Sequence, residues 1–420
     1  MDYLPAEFFT MEDFDLAGKT VFLRIDVNSP INPETGEIIG SARFFSHMET
    51  INSLVNSKVV ILAHQSRPGK EDFTSLEKHA LTMQRILGRK VEYRDSLFSR
   101  ETLTRIARLE RGEILMLENT RFYSEESSID YDLEVMESTN LVKKLGPMMD
   151  YFVNDAFPSI HRGQTSLVGF QRIVPNISGK LIEREIRSLD RFLKGKENPK
   201  LAILAGSKIN ESISVARNFL ETGTIDRIMT GGVVANAFLW AKGVDIGKKN
   251  RDFIIKNNKN HEELIGICRD LLRKHAKKIL LPVDFTLSPS GKRHANGDKI
   301  PEDQILADIG IDTIVSYIEE IREAKAVFLN GPMGMYEFAD YSTGTSEVFS
   351  AIARSGALKI AGGGHTLSAL EMLGLMKRFN HLSTGGGALI SYLSGETMPV
   401  LEALKASKKY FEGKIDGERS

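Results

Sequence analysis

Short apolar runs rich in β-branched residues recur along the chain at 21–25, 59–63, 114–117, 151–153, 201–204, 227–229, 279–281, 326–329 and 358–361. Between them lie longer segments with helical spacing, among them 76–87, 212–220 and 261–275. A strand that is apolar on successive residues has both faces buried. Strands of that kind alternating with helices build parallel sheets covered on both sides, so the chain is expected to be an α/β protein. Nine such strands in 420 residues exceed one comfortable domain and predict two.

A domain boundary is expected near Ser178. Leu181, Ile182, Ile186, Leu189 and Leu193 follow it at helical steps with charges between them, which reads as an amphipathic helix capped by Ser178. That helix ends in a polar patch containing Gly195 and Pro199, a fitting exit for a bridge between domains at 1–178 and 179–404. An ordinary crossover helix within one large sheet would give the same pattern.

Charge and cysteine content narrow the function. Fifty-five basic and 56 acidic side chains nearly cancel, with no basic arm, so nucleic acid is not an expected partner and any anion site must be local. Cys268 stands alone, which excludes an internal disulfide or thiolate metal cluster and fits the reducing cytoplasm. Residues 1–15 are acidic and lack a signal pattern, and no apolar run approaches the ~18–20 residues of a membrane span.

Parallel sheets bind ligands beyond the carboxyl ends of their strands, and the strand exits of the two halves differ. In the first half they supply Arg24, Asp26 and Asn28; His64 and Arg67; Glu118, Asn119 and Arg121; then Asn154 and Asp155, leading to His161 and Arg162, with Arg43 downstream of the first exit. Arginine forks match carboxylate and phosphate oxygens, so this half reads as a cup for a small, multiply charged anion. In the second half the exits are Ala205-Gly206-Ser207-Lys208, Gly231-Gly232, Asn330-Gly331-Pro332-Met333-Gly334, Gly362-Gly363-Gly364-His365-Thr366 and Gly385-Gly386-Gly387. Bare backbone admits a flat base or a phosphate, and a helix N-terminus beyond it favours negative charge, so this half reads as a nucleotide cradle. One glycine pair is usually only a turn; the sorting across nine strand ends carries the inference of phosphoryl transfer. P-loop and protein-kinase signatures are absent, no H-E-x-x-H metal motif occurs, and the glycine triplets lack the third glycine of the dinucleotide fingerprint. No protein-held metal is expected; magnesium would arrive with the nucleotide.

These motifs resemble the phosphoglycerate kinase family over nearly the whole chain. Arg24-Ile25-Asp26-Val27-Asn28, Ala63-His64-Gln65-Ser66-Arg67-Pro68, Leu117-Glu118-Asn119-Thr120-Arg121-Phe122, Val153-Asn154-Asp155-Ala156-Phe157, Leu280-Leu281-Pro282-Val283-Asp284-Phe285, Asn330 to Gly334 and Ser383 to Ala388 occur in the family's order. The resemblance implies two doubly wound parallel-sheet (Rossmann-like) domains joined by a helix, with a cleft between them that closes on a hinge. It implies a glycolytic and gluconeogenic enzyme, monomer or homodimer, moving a phosphoryl group between 1,3-bisphosphoglycerate and ADP to give 3-phosphoglycerate and ATP, with Mg²⁺ bound as MgATP or MgADP. Carried over by position, Asp26, Asn28, Arg43, His64, Arg67, Arg121 and Arg162 would hold the acid in the first domain. Gly206, Lys208, Gly231, Gly232, Asn330, Pro332, Glu337, Gly362, Gly363, Gly364, His365 and Thr366 would hold the nucleotide in the second, with Glu337 on the ribose. Arg43 and Lys208 are the expected catalytic charges, and the tail 405–420 would return to the first domain.

Three positions depart from the family's usual pattern: His365 replaces an Asp, Ser212 a second Lys, and Gln65-Ser66 a Leu-Gly pair. Together they look like the archaeal branch. The chemistry needs no strong base, because the attacking diphosphate or carboxylate oxygen is already ionised. Two rivals stay open on sequence: a nicotinamide-dependent oxidoreductase on the same architecture, and a nucleotide sensor without chemistry.

Overall fold

The computed structural model describes residues 7–128 and 132–419. They form two compact units, residues 7–187 with 397–419, and residues 188–396. The first unit carries β1 (Phe9–Thr10), β2 (Thr20–Arg24), β3 (Lys58–Leu62), β4 (Glu92–Tyr93), β5 (Ile114–Met116), β6 (Tyr151–Asn154) and β7 (Asn176–Ser178) in the order β1-β7-β6-β2-β3-β5-β4, every pair parallel. Side chains alternate across the pleat. Val21, Leu23, Val59 and Ile61 enter a core with Phe44, Leu76 and Met83 on one face. Phe22, Val60 and Leu62 enter another with Leu97, Leu141 and Phe170 on the other. Burial on both faces is why these strands read as continuous apolar runs.

The second unit carries β8 (Lys200–Leu204), β9 (Arg227–Thr230), β10 (Ile279–Leu280), β11 (Asp284–Ser288), β12 (Arg293–Ala295), β13 (Ile305–Ile309), β14 (Ala326–Asn330), β15 (Leu358–Gly362) and β16 (His381–Leu382). Six make a parallel sheet ordered β10-β9-β8-β14-β15-β16, and β12-β11-β13 make a small antiparallel sheet. All nine expected strands are present. The antiparallel sheet and the short strands β1, β4, β7 and β16 were not expected from sequence: a two- or three-residue strand leaves no periodicity to read, and the five-residue β11 and β13 carry polar residues that break an apolar run.

Both main sheets are doubly wound. The chain leaves β2 toward β3 and returns to its other side as β6; it leaves β8 toward β9 and returns as β14. Crevices for ligands open beyond the carboxyl ends at such switch points.

The helix Lys180–Lys194 follows β7, and the two units divide within it, between Arg187 and Ser188. Ser178 does not cap it. That hydroxyl donates to the Phe9 carbonyl at 3.0 Å, and the carboxylate of Asp155 takes the Leu181 N–H at 2.8 Å instead. A carboxylate there satisfies an orphan donor and complements the helix dipole. The C-terminal helix Pro399–Arg419 lies with the first unit, where Ser407 Oγ accepts from the Asn176 N–H at 2.9 Å and Val400 donates to the Ile160 carbonyl at 3.2 Å. No helix among the described residues is long and apolar enough to cross a membrane.

Candidate active site

Every strand of the first sheet runs the same way, so the residues after β2, β3, β5 and β6 gather along one edge. Asp26 is buried there and accepts from Arg43 Nη1 at 2.9 Å, Ser159 Oγ at 2.7 Å and the Asn28 N–H at 3.1 Å. Burial alone would raise its pKa. A protonated His64, then Arg43 and the Ser159 hydroxyl, outweigh burial and hold the carboxyl well below the usual range. His64 is itself kept neutral near pH 7 by burial, so Arg43 and Ser159 are the standing partners. Beneath Asp26, His47 is fully buried, with Nδ1 2.8 Å from Asp155 Oδ2 and Nε2 3.2 Å from the Asp26 N–H. One carboxylate, Asp155, thus anchors both the floor of the cup and the start of the helix Lys180–Lys194.

Arg24 points inward. It is fully buried, donating from Nε to Ser166 Oγ at 2.9 Å and from Nη2 to His64 Nδ1 at 3.0 Å, with Glu126 at 3.9 Å. A guanidinium only donates, so His64 accepts at Nδ1 and carries its proton on Nε2. Asn28 Oδ1 fixes the next exit by accepting the Ser66 N–H at 2.9 Å, and the Ser66 carbonyl in turn accepts from Arg121. Burial first, then the charges of Arg162 and Arg24, pull the Arg121 pKa down to about 10, and its buried Nε meets no partner. Arg24, Arg121 and Arg162 therefore crowd one another with too little negative charge among them. An oxyanion would relieve that crowding and satisfy the orphan donor. Arg67 is exposed, at the rim.

The second unit holds a cavity of about 620 Å³ at its switch point. Gly206, Lys208, Gly232, Asn330, Pro332, Glu337, Gly363, Gly364, His365 and Thr366 all line it. Gly331 sits at φ +93° with the Ala205 carbonyl where a Cβ would go, and Gly363 at φ +90° with Asn330 Nδ2 2.9 Å from an added Cβ. Only glycine lets these backbones close in. Thr366 Oγ1 accepts the Gly331 N–H at 2.7 Å and Asn330 Nδ2 donates to the Gly362 carbonyl at 3.1 Å, so the loop after β14 is tied to the start of the helix Gly364–Met372. That free helix N-terminus suits phosphate.

Two expected residues stand behind the lining. A Cβ on Gly231 would meet the Met333 sulfur at 2.7 Å, and one on Gly362 would overlap Leu389, so these glycines serve packing. Ser212 is buried in the helix Ile209–Glu221, away from the lining, with its hydroxyl unpartnered. Lys208 is largely exposed and 3.4 Å from Glu211, while His365 stands 3.9 Å from Glu337 at the mouth. Sequence reasoning missed His47, Ser159, Glu126 and Ser166 in the first unit and Asn236, Leu306 and Ala307 on the cavity wall. Ser159 lay within the fourth exit, and His47 is one helical turn past Arg43. Nothing in the sequence announced the wall from β13. No group of three or more His, Cys, Asp or Glu that could hold a metal occurs among the described residues.

A cup for an anion and a cradle for a nucleotide, each at a switch point, meet a matching comparison. The phosphoglycerate kinase family model matches residues 11–396. The chain belongs to the phosphoglycerate kinase family. It is 61% identical over 407 residues to a phosphoglycerate kinase of Thermoplasma acidophilum, spanning 97% of this chain and all of the relative, and 44% identical to that of Methanothermus fervidus over 96% of this chain and 98% of the relative. The crystal structure of phosphoglycerate kinase from Pyrococcus horikoshii superposes with a TM-score of 0.86 at 41% identity, covering 96% of this chain and all of that one. These relatives are archaeal, in line with the three departures. As a phosphoglycerate kinase, the chain moves a phosphoryl group between 1,3-bisphosphoglycerate and ADP, with the carboxyl group of 3-phosphoglycerate as acceptor in the reverse direction. The oxidoreductase and sensor readings fall away.

Proposed function

We propose that Asp26, Asn28, Arg43, His64, Arg67, Arg121 and Arg162 bind the three-carbon acid, and that Gly206, Lys208, Gly232, Asn330, Pro332, Glu337 and the loop from Gly363 to Thr366 bind the nucleotide. Gly231 and Gly362 shape the cradle from behind. The buried Arg121 Nε, which meets no partner beside Arg24 and Arg162, carries the reading. Its test is separate titration of each ligand: Arg121→Ala and Arg162→Ala should weaken 3-phosphoglycerate binding about tenfold or more and leave ADP within a factor of about two. Equal losses for both ligands would overturn the assignment.

In this mechanism the nucleophile arrives ionised, and the chain supplies position and positive charge. Arg43, held by Asp26, faces the acid; Lys208 supplies a mobile charge to the phosphoryl group in transit. Asp26 and Ser159 orient Arg43 and take no proton. Since the acid and the nucleotide are assigned to different units, in-line transfer requires closure when both are bound. The cavity offers no cage for a cation of its own, so Mg²⁺ would enter on the nucleotide, completed by phosphate oxygens and water, and would offset phosphate charge. A cytosolic location is proposed, where the buried Cys268, its thiol pushed up to about 12 by burial, stays reduced. A monomer or homodimer is the proposed assembly.

A further inference from the structure

A second concavity, of about 600 Å³, lies at the amino end of β15, the opposite end from the nucleotide loop. Arg354, Lys359, Lys377 and Arg378 line it with Ser350 and Ser355, and no carboxylate does. Arg354 ends the helix Thr343–Arg354, Lys359 is the second residue of β15, and the other two cations follow the helix Gly364–Met372.

None of the four cations makes an ion pair among the described residues. Elsewhere in the same unit, Arg191 meets Glu197 at 3.0 Å, Arg227 meets Glu320 at 3.1 Å and Arg293 meets Asp284 at 3.0 Å. Lys359 is only 9% exposed, and its ammonium donates to one neutral group, the Ser355 carbonyl, at 2.8 Å. Burial and then the charge of Arg378 lower its pKa. The carbonyls ending the helix Thr343–Arg354 account for that contact and, through the helix dipole, for Arg354. They leave Lys377 and Arg378, both exposed, with no counter-charge among the described residues. Four like charges around one hollow repel each other, and burial of one of them removes the water that would screen it.

We infer that this concavity is a binding site for a compact multivalent phosphate anion, separate from both catalytic ligands. It leaves room for two or three linked phosphates with their water, and the chain's net charge of -1 puts the attraction in the site and not in the whole molecule.

The test is calorimetric titration of the full chain with inorganic tripolyphosphate in magnesium-free buffer near physiological ionic strength, with excess 3-phosphoglycerate and ADP occupying the catalytic sites. One equivalent should bind. Lys377→Glu with Arg378→Glu should weaken it at least about tenfold, while Lys274→Glu with Lys277→Glu, an exposed pair outside the concavity, should change it less than about twofold. Turnover should survive in both. If charge reversal disturbs folding, Lys377→Ala with Arg378→Ala should still weaken binding about threefold. Absence of wild-type binding, unchanged affinity on reversal, or equal losses in the two reversed pairs would overturn the proposal.

Discussion

The two units solve related problems with different materials. The cup of the first is made of charged side chains, each held by a buried partner: Arg43 by Asp26, Asp26 by Ser159, His64 by Arg24, Arg24 by Ser166. The cradle of the second is made of backbone, with Gly232 and Gly331 packed against other main chain and its loops tied by Asn330 and Thr366. A small acid dense in charge needs forks aimed at each oxygen, whereas a nucleotide offers a flat base and a phosphate tail that amides and a helix end can follow. Side-chain sites fail one residue at a time. Backbone sites fail when a Cβ intrudes.

The comparison is tested hardest at the two charges proposed for catalysis. Arg43→Ala and Lys208→Ala should each lower kcat by ~10²- to 10³-fold, measured in a coupled assay with 3-phosphoglycerate and MgATP; the unfolding midpoint should stay nearly unchanged for Lys208→Ala and fall for Arg43→Ala, which strips the buried Asp26 of its ion pair, while both variants still fold. Both are partly exposed and lie outside the cores. Near wild-type turnover in both would remove the charge from the mechanism.

Gly331→Ala tests the backbone half. The residue has φ +93° and the Ala205 carbonyl where the methyl group must go, so stability in denaturant should fall by at least ~2 kcal/mol. The KM for ADP should rise while that for 3-phosphoglycerate stays within about twofold. A matching rise in both would deny that the two sites are built independently.

The sheets were legible because strands buried on both faces leave apolar runs such as Val59 to Leu62. The ligand edges were legible because chemistry follows each run directly: His64 after β3, Gly331 after β14. What sequence hid depends on contacts far along the chain. Asp155 reads as part of an exit motif, yet it also caps a helix and grips His47, 108 positions away. Gly231 reads like Gly232, and only the Met333 sulfur behind it tells packing from lining. The wall from β13 is a short, mostly apolar antiparallel strand, Ile305–Ile309, whose nearness to the cradle comes from tertiary packing alone.

Two buried aspartates sharpen the contrast through pH. Asp26 has cationic company and a lowered pKa, so its stabilising contribution is present above the unfolded carboxyl value and lost only in strong acid. Asp308, behind the cradle, accepts the Gly344 N–H at 2.7 Å and the Ile309 N–H at 2.9 Å but has no cation. Burial raises its pKa from 3.8 to about 7, against the pull of those two amides. A raised folded value favours the protonated form, so stability from this group is full below about pH 4 and lost as pH rises through 7. Asp308→Asn should flatten that slope between pH 5 and 8 by on the order of 2 kcal/mol in thermal unfolding, since an amide oxygen still accepts from Gly344. A slope that persists in the variant would place its origin elsewhere.

The first unit has one place where backbone conformation rules, and it gives the smallest effect. Ser66 is the only described non-glycine residue with positive φ, at +54°, where the family's usual pattern has glycine. Its N–H reaches Asn28 Oδ1, its carbonyl takes Arg121 and its hydroxyl donates to Asp72, so the strained conformation is fixed at both backbone ends by residues of the cup. Ser66→Gly alone would mix relief of strain with loss of the hydroxyl. Comparing it with Ser66→Ala removes the hydroxyl from both sides and leaves the Cβ in the left-handed region as the difference. The glycine variant should exceed the alanine variant by about 1 kcal/mol in denaturant unfolding, with equal KM for 3-phosphoglycerate, because Arg121 binds the carbonyl either way. Equal stability would mean that position 66 relaxes when its hydroxyl is gone, and that the cup does not hold its own backbone as firmly as the cradle does.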